Sequence, residues 1–451
     1  MKQSFLIVFL YCLASVIILV SFNGTGGEAD SINHYLHAKF AFQHPSLFLN
    51  HWAKPFFTLL ASPFAQFGFI GIKIFNVICS LIATFFTYKI ATALKLNRPF
   101  LAPLFLFLFP LSFLTTFSGL TEPLCAALLS IAIYATLKQH HLWAAIIVSF
   151  IPFVRSEGLL FLMVFASYWA IKKQWKVIPF LIVGHLCYSI IGAFHYEDFF
   201  WVFTKIPYAT LSSHYGDGKL FHFADKLIYI TGIPLLVFLL VGILNTTFQY
   251  IRSRNHDFFV LILLNFLVFF IAHSLFWYLG IFNSMGLKRV FAATTPLMAI
   301  VVLSGFNLID KINLIWLKNF LLIATLIYIL IFPFTSNPAA IDWKKEMNLT
   351  EAENVATDLA QYIHSNKLND HRFIYTDPFL GEALKIDPFD AEQRLILSEE
   401  ALKESRKGDL IIWDNWHSVI DYKIEIEDLK QYKEVERFES PKSTYVLFLV
   451  E

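Results

Sequence analysis

Long apolar runs separated by short polar connections extend from the N-terminus to about residue 335. A helix needs about 20 mostly apolar residues to cross the hydrocarbon core of a bilayer. The pattern therefore predicts about eleven membrane-spanning helices, at 4–22, 68–93, 99–117, 121–137, 141–154, 158–171, 177–194, 227–249, 258–280, 289–308 and 314–334. The short segments 141–154 and 158–171 are either two spans or one re-entrant pair, and the later spans keep the same orientation in both cases.

The composition changes sharply at about Ser336, where charged residues become frequent. A helical pattern at 350–364 and strand-like runs at 372–376, 410–413 and 445–450 predict a small α/β domain. The Asn-Pro pair at 337–338 marks the linker. We therefore expect an all-α polytopic membrane domain over 1–335, whose first extracytoplasmic loop is 23–67, and a soluble extracytoplasmic α/β domain over 336–451.

The overall composition supports a membrane protein. Hydrophobic residues make up 57% of the chain and charged residues 15%, and the mean hydropathy is +0.59. A soluble domain typically has about a quarter of its residues charged, so the lipid bilayer is the expected surrounding. No long basic patch is present, which argues against a nucleic-acid partner.

The distribution of charge along the connections predicts the sidedness. Basic residues near the ends of spans favour the cytoplasmic face. Every second connection carries such residues, and the alternation puts these connections on the same face as Lys2. The N-terminus is therefore expected in the cytoplasm. The connections on the other face carry mostly acidic residues, so the C-terminal domain is expected outside the cytoplasm. A bacterial plasma membrane is the expected location. The basic residues of the cytoplasmic connections are Lys95, Arg98, Lys138, Lys172, Lys173, Lys176, Arg252, Arg254 and Lys311.

The connection after the first span carries two carboxylates, Glu28 and Asp30. Apolar residues then recur at helical spacing, which predicts a short amphipathic helix in the membrane interface. In one interpretation Asp30 caps this helix and Glu28 is solvated. In the other the acidic segment is extended, and both carboxylates project to the same side and serve one site; in a helix only one of them would serve it. The apolar positions are Ile32, Tyr35, Leu36 and Phe40.

Lys54 stands further along the same loop, followed by Pro55, which sets the start of the next apolar helix. A lysine on the acidic face runs against the usual charge bias. It is either a lysine that snorkels to the interface or a contact for a phosphate group.

Three later connections on the same face carry charge at membrane level. Glu122 lies in a turn before Pro123 and is either part of an ordinary Pro-capped turn or a site carboxylate. Arg155 and Glu157 stand between apolar segments, where ionisable groups are costly, and form either a structural ion pair or a phosphate site. Lys288 and Arg289 open the tenth span and either snorkel or bind a phosphate.

Four histidines, His34, His37, His44 and His51, are scattered over the first loop. Their spacing gives only a weak indication of a metal site. No cofactor is expected with certainty, and a divalent metal is possible but not indicated.

The first loop resembles that of the GT-C glycosyltransferases, in the branch of the protein O-mannosyltransferases and aminoarabinose transferases. That branch reads roughly Asp-Glu-x-x-Tyr, then Ala, then Lys-Pro-Pro-Leu. Asp30, Tyr35, Ala38, Lys54 and Pro55 stand at the corresponding places. The acidic pair here is Glu-Ala-Asp, and a phenylalanine replaces the second proline.

The resemblance implies transfer of a sugar, with inversion, from a polyprenyl-phosphate-linked donor to a hydroxyl of a glycan, lipid or protein acceptor. Asp30 would be the general base, with Glu28 assisting or replacing it. The implied phosphate contacts are Lys54, Arg155, Lys288 and Arg289. The expected substrate contacts are His34, Tyr35, Glu122 and Glu157.

Two other classes of protein fit part of the pattern. A transporter or flippase for a lipid-linked substrate would place ionisable residues near the bilayer midplane and show repeat symmetry, whereas these charges cluster at one face. A non-enzymatic assembly or sensor protein would tolerate replacement of Asp30 and Arg155 without loss of a chemical activity.

Overall fold

The computed structural model describes residues 2–26, 28–207, 209, 212–213 and 215–451, without the side chains of residues 2–5, 7 and 28. The chain is mostly helical. Helices of its first part have the bounds Lys2–Ser21, Glu28–Phe40, Pro55–Ala65, Phe69–Ala93, Leu101–Leu108, Pro110–Thr116, Glu122–Leu137, His141–Phe153 and Gly158–Ile171. They continue with Trp175–Tyr196, Trp201–Thr204, His222–Thr231, Ile233–Ser253, His256–Tyr278, Lys288–Lys311 and Ile315–Phe334.

Among the described residues, six helices are long and apolar enough to cross a bilayer. They are Phe69–Ala93, Trp175–Tyr196, Ile233–Ser253, His256–Tyr278, Lys288–Lys311 and Ile315–Phe334. Of the other predicted segments, Lys2–Ser21 is an uninterrupted helix of 20 residues whose first side chains lie outside the described residues. The rest are helical but shorter or interrupted, so the total of eleven spans stays a prediction. The membrane-embedded helical architecture itself agrees with the sequence pattern.

One predicted span, 99–117, is two helices. The first ends at Leu108, and Phe109 is extended (φ −66°, ψ 121°) before Pro110 begins the second. The ring of a proline disfavours helical geometry in the residue before it, which is the physical reason for the break.

The connections meet in two groups at opposite ends of the helices. Arg98 forms an ion pair with Asp310 at 2.6 Å, and Lys172 forms one with Asp257 at 2.7 Å. These contacts join connections that the alternation of charge places on the same face. Which face is cytoplasmic stays a prediction.

At the other end, the connection 118–122 is tied to the helix Glu28–Phe40. The backbone N–H of Gly119 donates to Ser31 Oγ. A Cβ atom at Gly119 would lie 2.3 Å from the Ser31 carbonyl oxygen, so the contact requires a glycine. Asn76 Nδ2 donates to the carbonyl oxygens of Ser118 and Leu120 at 2.7 and 2.9 Å and fixes the connection from its other side.

The C-terminal part contains a five-stranded sheet in the order β2-β1-β3-β5-β4. Its strands are β1 (Phe373–Tyr375), β2 (Arg394–Ile396), β3 (Leu410–Asp414), β4 (Lys433–Glu439) and β5 (Thr444–Leu449). The pairs of β1 with β2 and β3 are parallel, and the pairs of β5 with β3 and β4 are antiparallel. The accompanying helices are Trp343–Glu346, Glu351–Ser365, Pro378–Ala383 and Glu399–Lys403. The helix and three strands predicted there are confirmed, whereas β2 and β4 were not predicted.

The helix Glu28–Phe40 forms where the sequence predicts an amphipathic helix, but its apolar side is covered by protein. Ile32, Tyr35, Leu36 and Phe40 are all buried. Tyr35 donates a hydrogen bond to Glu382 at 3.0 Å. The expectation that this side faces the membrane interface is therefore wrong, because the C-terminal part and neighbouring helices bury it.

Candidate active site

A cavity of about 460 Å³ lies where the connections of the second group meet. Residues of the first loop, of the connections near 121 and 156, and of the start of the helix Lys288–Lys311 line it. Among the described side chains, three carboxylates and three cations reach it, and apolar side chains complete the wall. The charged residues are Asp30, Glu122, Glu157, Lys54, Arg155 and Arg289.

Asp30 forms an ion pair with Arg289 across the cavity. The helix begins at Glu28, so Asp30 lies in its first turn and is not its cap. The backbone is helical from Glu28 onwards, so the extended interpretation of the acidic segment is wrong. Asp30 is the residue that reaches the cavity, and the side chain of Glu28 lies outside the described residues.

Arg155 is held between two carboxylates. Its guanidinium contacts Glu122 at 2.7 Å and Glu157 at 2.8 Å, and it donates to Thr121 Oγ1 at 3.3 Å. Burial raises the pKa of Glu157, but the charge of Arg155, together with smaller contributions from His273, Lys54 and a backbone hydrogen bond, lowers it to about 2. The geometry is that of the structural ion pair, extended to a second carboxylate, and a phosphate role for Arg155 stays a prediction.

Lys54 reaches the cavity from the start of the helix Pro55–Ala65. Its ammonium group donates to Ser156 Oγ at 2.9 Å and to the His51 carbonyl oxygen at 3.2 Å. Burial lowers the pKa of Lys54 to about 8, against the raising effect of Glu157. The backbone φ of Lys54 is +69°, a region that non-glycine residues rarely occupy and that is concentrated at functional sites.

Two of the histidines that the structure describes line the cavity. His34 follows Asp30 by one helical turn and stacks on Trp52, with ring centroids 4.9 Å apart. Burial, with nearby cations, lowers the pKa of His34 well below its usual value, so its ring is neutral. His273 lies 3.7 Å from the Glu157 carboxylate.

His273 was not singled out from the sequence. It sits inside the apolar run 258–280, and an ionisable residue inside a span is itself an indication of function. Trp52, Thr121 and Ser156 also line the site without having been singled out as site residues.

Two residues expected at the site lie elsewhere. Tyr35 is fully buried and bonded to Glu382, so its expected substrate contact is wrong: the hydroxyl points to the C-terminal part. Lys288 does not line the cavity, and its ammonium lies 5.8 Å from the ring centroid of Tyr229. Adjacent residues point in different directions, so Arg289 faces the cavity and Lys288 does not.

No group of three or more histidine, cysteine or carboxylate side chains with metal-binding geometry occurs among the described residues.

Comparison with known proteins identifies the fold. No family model matches the sequence, and no curated protein matches it either. Among solved structures, the chain is similar to ArnT from Cupriavidus metallidurans bound to undecaprenyl phosphate, with a TM-score of 0.60, 11% identity and coverage of 98% of this chain and 97% of that one. The apo state of the same ArnT gives a TM-score of 0.63 at 10% identity, with the same coverage.

The chain is also similar to the Archaeoglobus fulgidus oligosaccharyltransferase in its apo form, with a TM-score of 0.59 and 11% identity over 99% of this chain and 74% of that one. Both neighbours have the GT-C architecture. The chain thus has the fold of the membrane-embedded GT-C glycosyltransferases, which confirms the resemblance seen in its first loop.

Proposed function

We propose that this protein is a membrane glycosyltransferase that moves a sugar from a polyprenyl-phosphate-linked donor to an acceptor hydroxyl on the extracytoplasmic face. The observation that carries the proposal is the cavity itself. It brings Asp30 and Lys54 of the first loop together with the distant Arg289 in one partly apolar space. A solved structure of similar fold contains undecaprenyl phosphate, a lipid phosphate of the proposed class.

The reaction is a single displacement at the anomeric carbon. Asp30 accepts the proton of the acceptor hydroxyl while the acceptor oxygen forms a bond to that carbon. The bond from the carbon to the phosphate oxygen breaks, and its electron pair leaves with polyprenyl phosphate. Attack opposite the leaving group inverts the anomeric configuration. General-base assistance of this kind contributes on the order of 100- to 10,000-fold.

The ion pair of Asp30 with Arg289 couples donor binding to the base. In the structure the guanidinium is bound to the carboxylate that would take the proton. A donor phosphate offers the guanidinium a second anionic partner with matching geometry. Moving Arg289 towards the phosphate leaves Asp30 available to the acceptor, so the base becomes active only when the donor is in place.

Lys54 supplies a second cation for the leaving phosphate. Its ammonium donates to two uncharged oxygens, those of His51 and Ser156. Cations that are preorganised in a site of low polarity stabilise the negative charge that develops on the phosphate in the transition state. Arg155 acts mainly to hold Glu122 and Glu157 in position.

The apolar wall suits the lipid part of the donor. Leu159, Leu160, Phe276 and Met285 line the cavity beside the charged groups. A polyprenyl chain in the membrane needs an apolar surface next to its phosphate, and this arrangement provides both.

The test is transfer from a panel of radiolabelled polyprenyl-phosphate sugars by membranes that contain the full chain. We expect transfer with at least one donor, and loss of on the order of 100-fold or more in Asp30→Asn. Asp225→Asn is the matched control, since Asp225 is exposed and lies outside the cavity. Transfer that survives the double substitution Asp30→Asn and Glu28→Gln would refute the assignment of the general base. Absence of transfer with every donor would refute the proposed function.

A further inference from the structure

Four buried polar atoms of residues that line the cavity have no hydrogen-bond partner within the described part of the chain. One is Nε of Arg155, whose guanidinium is already held by two carboxylates. The other three are Oε2 of Glu122, Nδ1 of His34 and Nε2 of His273. Each of these three residues is more than nine-tenths buried, and each lines the cavity. Nearly all buried polar atoms in proteins are hydrogen-bonded, so three such atoms around one cavity call for an explanation.

A structural role accounts for the other atoms of these groups but not for these three. Glu122 uses Oε1 for its ion pair with Arg155, which leaves Oε2 as an acceptor. His34 is held by stacking on Trp52. His273 is packed against Phe269 and Phe276, and its Nε2 is 3.7 Å from Glu157, beyond hydrogen-bond distance.

The three atoms match the hydrogen-bonding needs of hydroxyl groups. A carboxylate oxygen accepts from a hydroxyl, and each neutral imidazole nitrogen donates or accepts according to its tautomer. A sugar ring carries several hydroxyls that both donate and accept. His34 is one helical turn from Asp30, so the groups lie close to the base.

The charges of the cavity argue for an uncharged sugar. Among the side chains that the structure describes, its three carboxylates and three cations balance one another. A sugar ammonium bound at Glu122 would lie beside the Arg155 guanidinium, and a sugar carboxylate would lie beside the Glu122 and Glu157 carboxylates. Like charges brought close in a buried site are unfavourable, so both kinds of charged sugar are disfavoured.

We propose that Glu122, His34 and His273 form the subsite that binds the hydroxyls of an uncharged donor sugar. This inference rests on the proposed glycosyl transfer. It adds His273 to the site and assigns a class of sugar.

The experiment measures binding of two lipids to the purified full chain in detergent: a polyprenyl phosphate that carries a neutral hexose, and the same polyprenyl phosphate without sugar. His273→Phe removes the ring nitrogens and keeps an aromatic ring among phenylalanines. We expect it to weaken binding of the hexose-bearing lipid about tenfold, as for a lost buried hydrogen bond, and to leave binding of the bare lipid phosphate unchanged. His34→Phe, which keeps the stacking on Trp52, should act in the same way.

His185→Phe is the matched control, because His185 is a buried histidine stacked on Phe203 outside the cavity. It should change neither affinity. Equal weakening of both lipids by His273→Phe would show a structural role and overturn the subsite. Preference of the unmodified protein for an amino sugar or a uronic acid over the hexose would overturn the assignment of an uncharged sugar.

A transfer assay with the same hexose donor separates this inference from the proposed function. Binding that depends on His273 without any transfer would support the sugar subsite and refute the glycosyltransferase. Transfer without any dependence on His273 or His34 would support the enzyme and refute the subsite.

Discussion

Replacement of Arg155 by methionine tests the electrostatic design of the site most sharply. The guanidinium lies within 2.7 and 2.8 Å of two carboxylates, and its side chain is 13% exposed. Removing it leaves Glu122 and Glu157 buried without their common partner. Breaking a buried ion pair in this way typically costs about 3–5 kcal/mol, so we expect Arg155→Met to lower the free energy of unfolding by that amount.

The dependence on pH follows from the same groups. In the unmodified protein burial raises the pKa of Glu157, but Arg155 and weaker contributions from His273, Lys54 and a backbone hydrogen bond together lower it to about 2. A carboxyl group with a lowered pKa stabilises the fold at pH values above its unfolded pKa of 4.5, and this stabilisation is lost as the pH falls towards 2. In Arg155→Met the buried carboxylates favour protonation instead, so the deficit in stability should shrink between pH 7 and pH 5.

The assay is thermal unfolding of the detergent-solubilised protein, followed by intrinsic fluorescence at pH 7 and pH 5. The matched variant combines Arg155→Met with Glu122→Gln and Glu157→Gln, which removes the charges together. It should recover most of the lost stability, since replacing a whole buried ion cluster is often close to neutral. A triple variant as unstable as Arg155→Met would refute the reasoning.

Three further predictions concern separate parts of the chain. Lys54→Met should raise the KM for the lipid donor about tenfold or more through loss of a charge-assisted contact, measured by titration of the donor; an unchanged KM would contradict the phosphate role. Glu382→Gln weakens the hydrogen bonds from Tyr35 and Lys39 and should increase hydrogen exchange in the helix 28–40. The expected loss in the free energy of local opening is about 1–2 kcal/mol. Unchanged exchange would contradict this contact between the helix and the C-terminal part. Burial lowers the pKa of His417, but its hydrogen bond to Asp421 and the nearby carboxylates raise this pKa to about 9. The protonated His417 therefore stabilises the fold fully below pH 6.5, and this stabilisation is lost as the pH rises towards 9. In unfolding curves recorded over a series of pH values, His417→Gln should abolish the loss of stability as the pH rises. An unchanged dependence on pH would contradict this role of His417.

The sequence predicts the helical segments well because a membrane span has a strong and simple signal. The break before Pro110 was missed, although the residue before a proline is a recognised point of interruption. Strand β2 has only three residues, and β4 consists largely of charged and polar residues, Lys433–Glu439. Neither has the apolar run by which the other strands were predicted.

The candidate site was predicted in part, because charged residues beside apolar runs stand out. Its pairings were not predictable. Asp30 and Arg289 are 259 positions apart, and only the packing of the helices brings them together. The helix that carries Asp30 has its apolar side against the C-terminal part, whose position relative to the membrane helices no local pattern reveals. Tyr35 was therefore placed at the site when it belongs to that contact.

The central claim is that the cavity at Asp30 transfers a sugar from a lipid phosphate to a hydroxyl. Its most direct test is a single-turnover reaction of the purified full chain with a doubly labelled polyprenyl-phosphate sugar and an acceptor. We expect equal amounts of glycosylated acceptor and free polyprenyl phosphate, with inverted anomeric configuration, and the loss of both products in Asp30→Asn. Retention of configuration, or both products formed at an unchanged rate by Asp30→Asn, would contradict it.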